Sequence, residues 1–195
     1  MVSPVRTQVT EWLNQLFLVD RDVRLQLERL SEEQFQWRPG PGKWSVGECL
    51  NHLAITTGLV VPNLRAALDR GRVEGIKGEP PFQYGWLGGW FVRAMETPGK
   101  RGMRAPGNFV PPAGLPKSAV LGRFAAVQQE FKDVIESAPG LALDQLKAPS
   151  AARGSGWIKL NVAAWIAATL AHERRHVAQV ERVIKAPGFP GSAIP

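Results

Sequence analysis

The chain has 195 residues, of which 44% are hydrophobic and 21% charged, a balance that fits one domain with a real core and excludes a disordered chain. Its net charge of +7 arises from scattered basic residues. The tightest group is Arg93, Lys100, Arg101 and Arg104, and no nucleic-acid recognition motif accompanies it.

No run approaches the roughly 18 apolar residues of a membrane span, and Arg6, Glu11 and Asp20 interrupt any signal-peptide-like start. Cys49 is the single cysteine, so no intramolecular disulfide can form. These features predict a cytoplasmic protein with neither a nucleic-acid nor a membrane partner.

Val9, Leu13, Leu16 or Phe17, Val23 or Arg24, and Leu27 recur at helical spacing and predict a first helix from about Val5 to Leu30. Ser31-Glu32-Glu33-Gln34 resembles a capping box opening a short turn. Phe35 and Trp37 are expected to tuck under the bundle, and Arg38-Pro39-Gly40-Pro41-Gly42 reads as a helix-breaking connection. The second helix begins at a clearer signal: Ser45 followed by Glu48 is a capping box, with Trp44 before it as a staple residue. Val46, Leu50, Leu53, Thr57, Val60 or Val61, Leu64 and Leu68 form its buried stripe, and His52 lies at the stripe's edge. Pro62 predicts a kink or break near Val60-Val61, and the helix is expected to run out at Asp69-Arg70-Gly71.

Residues 71–116 are rich in Gly and Pro and carry Phe82, Tyr84, Trp86, Trp90, Phe91 and Phe109, with a short helix expected over Gly85 to Glu96. A connection this long is functional or mobile. The simpler reading is a crossover that packs its aromatics on the bundle; the sharper one is a wall or lid over a site. A third helix is expected from Ser118 to Ser137, then a loop over 141–158 with a turn at Leu143-Asp144-Gln145-Leu146. The fourth starts near Asn161, a good N-cap, and runs to Lys185; the tail from Pro187 to Pro195 is expected to be loosely held. Four amphipathic helices, no period-2 strands and one long crossover between helices two and three predict an all-α, four-helix bundle forming a single domain over 1–195.

The chemistry concentrates in His172-Glu173-Arg174-Arg175-His176, which holds two of the three histidines at i and i+4. That spacing stacks two imidazoles on one helix face, where they can ligate one divalent ion. The remaining histidine is His52. A lone histidine on an apolar face is more often a hydrogen-bonded core residue than a ligand. Two neutral imidazoles one turn apart are a costly use of core space without a partner. Three nitrogen ligands leave a position for water or substrate, the catalytic rather than the structural pattern. The segment also matches the His-Glu-x-x-His pattern of zinc proteases, but both x positions are Arg, and surface pairing or outer support of the ligands is the simpler role for Glu173. A Cys49–His52 nucleophile pair lacks any orienting group, so Cys49 reads as a small buried residue.

With Lys43-Trp44-Ser45-Val46-Gly47-Glu48-Cys49-Leu50-Asn51-His52-Leu53 and His172-Glu173-Arg174-Arg175-His176-Val177-Ala178-Gln179, the sequence resembles the DinB/YfiT-like superfamily of bacterial four-helix metalloproteins. The resemblance covers nearly the whole chain except 71–116. It implies His52, His172 and His176 as a ligand triad for one divalent transition ion, Zn or Ni first, with Mn, Fe or Cu also compatible. It further implies a small-molecule substrate. Members with assigned activities include transferases and isomerases that use thiols such as bacillithiol, mycothiol or glutathione, so a low-molecular-weight-thiol S-transferase is the leading expectation. Arg174, Arg175 or the 93–104 basic residues are candidates to receive a thiol's carboxylates. The alternatives are a metal-dependent hydrolase, with Glu173 as its base, and a non-catalytic metal- or ligand-binding stress-response bundle. A homodimer is a further expectation.

Overall fold

The structure, a computed structural model, describes residues 7–96 and 105–191. Four long helices form the bundle: α1 (Gln8–Leu27), α3 (Val46–Glu74), α5 (Lys117–Glu136) and α6 (Val162–Ile184). Between them lie the short α2 (Glu32–Gln36), α4 (Gly85–Glu96), a 3₁₀ turn (Gly107–Phe109), and two strands, β1 (Lys147–Pro149) and β2 (Lys159–Asn161).

The start signals behave as sequence chemistry dictates. Ser31 and Ser45 each close a full capping box. Asn161 accepts the Ala164 N–H at 2.8 Å and so opens α6. The helix over Gly85–Glu96 has the expected bounds. Pro62, by contrast, neither breaks nor ends α3, which continues to Glu74 and closes on left-handed Gly75 at φ 67°. The carbonyl deprived of a donor by Pro62 is that of Gly58, whose backbone is the freest to adjust. The expected break near Val60-Val61 is therefore corrected. So is the absence of strands: β1 and β2 pair antiparallel with Ala148 opposite Leu160, and their three-residue length shows no readable alternation.

The core has two parts. One gathers Leu64, Leu68, Phe131, Ile135, Leu143 and Ile166 around the far ends of α3 and α5 and the start of α6. The other joins Leu27, Phe35, Val46, Leu50, Leu53, Phe124 and Val180. Gly47 is required here, because a Cβ at that position would lie 2.5 Å from the Phe35 ring. The chain after α6 is held as far as Pro190, correcting the loose tail for those residues: Phe189 meets Trp37 edge-on at 5.5 Å and Gln34 donates to the Pro190 carbonyl.

The crossover is partly packed and partly not. Phe82 stacks on Trp12, and Phe91 meets Trp165 on α6 edge-on at 5.3 Å. Gly88 admits Ala164 of α6 where a Cβ would be at 2.7 Å. Trp86 and Trp90, in contrast, stand exposed, which departs from the reading that all these aromatics pack on the bundle. Lys100, Arg101 and Arg104 lie outside the described residues. No helix among those described is long and apolar enough to cross a membrane.

Candidate metal centre

His52 is presented by the second turn of α3, and the capping box fixes how that helix begins. Ser45 Oγ accepts the Glu48 N–H at 3.1 Å, and Glu48 Oε2 accepts the Ser45 N–H at 3.0 Å. Arg38 then closes on both Glu48 oxygens, at 2.7 and 2.5 Å. His172 and His176 come from α6, one turn apart on a face directed at α3. The structure brings all three predicted residues together: one ring nitrogen from each lies within 4.8 Å of the others. Ring centroids are 4.5–5.1 Å apart.

Orientation matters as much as proximity. His52 Nδ1 lies 2.7 Å from the Phe109 carbonyl, to which it donates as an N–H. That bond fixes the tautomer and leaves the Nε2 lone pair facing the other rings, the outer-sphere arrangement common to histidine ligands. The Nε2 atoms of His52 and His172 are 3.2 Å apart. Two nitrogens bound to one tetrahedral ion at about 2.0–2.1 Å would stand roughly 3.3 Å apart. His176 is 3% exposed, and neither of its nitrogens has a hydrogen-bond partner. A buried imidazole with both nitrogens unmatched loses its hydration without return. The site therefore fits a cation in a way that an ordinary core does not.

Protonation agrees. Burial pushes His176 down to about 2 and His172 to about 3, with the neighbouring imidazoles adding repulsion, and it lowers His52 as well. All three rings are neutral at pH 7, the form that ligates. Trp44 covers one side, its ring centroid 4.8 Å from His52 and 6.1 Å from His176. His172 is half-buried, the most exposed of the three rings.

Glu173 departs from the expected surface pairing. It is fully buried and lies outside the histidine group. Thr57 donates to Oε1 at 2.9 Å and Gln128 to Oε2 at 3.3 Å, while burial pushes the carboxyl up to about 7. With both oxygens committed to α3 and α5, Glu173 is not placed as a base beside the rings. Cys49 is buried as expected, and desolvation raises its thiol to about 12, so it is no nucleophile. Arg174 and Arg175 also separate. Arg174 pairs with Gln15 and Glu96, whereas Arg175 sits half-buried beside the rings.

Sequence reasoning missed two parts. Trp44 reads as a staple residue from its place before the N-cap, and nothing local says that it also walls the site. The Phe109 contact is made by a carbonyl, which leaves no signature in residue type. Through it the long crossover does reach the site.

A DinB superfamily family model matches residues 17–180. Among solved structures, YfiT from Bacillus subtilis, described as a probable metal-dependent hydrolase with an unusual four-helix bundle topology, is similar. The TM-score is 0.60 at 12% identity, over 97% of this chain and 93% of that one, so the likeness speaks for the fold. No curated protein sequence matches the chain. A bundle of this topology, with its first histidine on α3 and the paired histidines on α6, matched by that model over most of its length, belongs to the DinB superfamily.

Proposed function

We propose that the protein is a metal-dependent enzyme acting on a small molecule, and that His52, His172 and His176 hold one divalent transition ion, Zn or Ni before Mn, Fe or Cu. The observation that carries this reading is His176, buried with two unpartnered nitrogens inside a ring of neutral imidazoles. A bound ion would act as a Lewis acid that favours the deprotonated form of a thiol or water.

The residues divide the remaining work. Phe109 holds the His52 tautomer, Trp44 keeps water from one side, and His172, the most exposed of the three rings, marks the side from which a substrate would approach. We read the nucleophile as a low-molecular-weight thiol in an S-transfer reaction. The two carboxylates nearest the ligands along α3 and α6 in sequence are committed: Glu173 to Thr57 and Gln128, and Glu48 to Arg38 and Ser45. A thiolate needs no protein base once formed, whereas attack by water commonly enlists a carboxylate. The description of YfiT as a probable metal-dependent hydrolase supports hydrolysis as the second reading.

Elemental analysis of untagged protein beside His52→Ala and His176→Ala tests the centre. About one ion per chain, lost in both variants, is expected; a wild type that takes up neither Zn nor Ni overturns it. In the cobalt-loaded protein an added thiol is expected to shift the visible bands, and thiol-independent turnover of esters or amides would favour hydrolysis instead.

A further inference from the structure

Among the described residues only two arginines are half-buried, and they are neighbours on α6. Arg174 is matched by Glu96 and Gln15. Arg175 has no ion pair among the described residues. It follows His172 by three positions, so the two side chains share a face one turn apart, and it directly precedes His176. Its charge reaches all three imidazoles, and its own burial lowers its pKa. Arg182, two turns further along that face, adds to the same positive field.

Partly removing a guanidinium from water without a counter-charge is unfavourable. The histidine ring contributes no negative charge, so a divalent ion there would leave the site with further positive charge unbalanced. Both features call for an anionic group from outside the chain. A single planar guanidinium is matched in shape by a carboxylate, whose two oxygens accept two parallel N–H bonds.

Resting on the metal-centre reading above, we infer that Arg175 is the substrate-recognition residue of this site, and that it binds a carboxylate carried by the small molecule that reaches the ion. Arg174, with the same charge one residue away, is not part of it.

The test uses cobalt-loaded full-length protein titrated with 3-mercaptopropionate and with 2-mercaptoethanol, two thiols that differ in the carboxylate. Wild type is expected to bind the carboxylate thiol about tenfold more tightly, in line with a charge-assisted pair. Arg175→Gln is expected to erase that preference, with cobalt content and 2-mercaptoethanol affinity retained. Arg175→Lys should restore part of it, and Arg174→Gln should leave it intact. Cobalt binding without any preference, or a preference that survives Arg175→Gln, overturns the inference alone. Failure to bind cobalt overturns the metal centre and this inference together.

Discussion

His172 and Glu173 are adjacent on α6, both face α3, and they end in opposite chemical states. His172 meets His52, in a ring where His176 keeps two unmatched nitrogens. Glu173 meets Thr57, little more than one turn further along α3, and each of its oxygens has a donor. In one cluster both carboxylate oxygens are matched by the protein itself; the other is complete only with something added. A buried polar group whose partners are all present is a structural device, and one without them is a candidate site. The His-Glu-x-x-His pattern reads these residues as one unit, but their partners divide them.

The largest effect that bears on this contrast is expected at Cys49, buried in the apolar core one turn before His52. With its thiol raised to about 12 from 9.0, the reactive thiolate is depleted about a thousandfold below pH 9. Alkylation at pH 8 should therefore be about three orders of magnitude slower in the native protein than in urea, and should keep rising about tenfold per pH unit until it levels off near 12. Rapid native labelling would mean that this end of the bundle is open.

Glu173→Ala comes next. It strips acceptors from the buried Thr57 hydroxyl and Gln128 amide and leaves a cavity, a loss of about 3 kcal/mol. Urea unfolding of the metal-free protein should register it. Glu173→Gln should recover most of that loss, because the unpartnered Gln128 Oε1 can turn to accept from the new amide. The smallest effect is expected in the histidine cluster. His176→Leu removes two unmatched buried nitrogens, so the metal-free protein should keep its stability within about 1 kcal/mol while metal uptake disappears. A large loss in that variant would show that the ring is a structural cluster and break the comparison.

The long helices were legible because their apolar spacing and capping residues act within a few positions of each other. Ser45 with Glu48, and Asn161 with Ala164, need nothing from elsewhere in the chain. The histidine ring was legible in its members, since three rare side chains stand at suggestive places. The burial of Glu173 was not: a charged residue on a helix reads as exposed until its partners arrive from 116 and 45 positions away. The β1–β2 pair is too short to alternate, and α3 runs on through Pro62 because the packing of the whole helix outweighs one lost backbone bond.

The bond from His52 to the crossover has one more implication. Because residue 109 contributes only its carbonyl, its side chain is released from any duty toward the imidazole. Side chains around that residue can be exchanged while the anchoring contact stays in place. The molecule thus separates a fixed cluster of imidazoles on α3 and α6 from a rewritable segment beside it, a division that a designer could use by diversifying the loop alone.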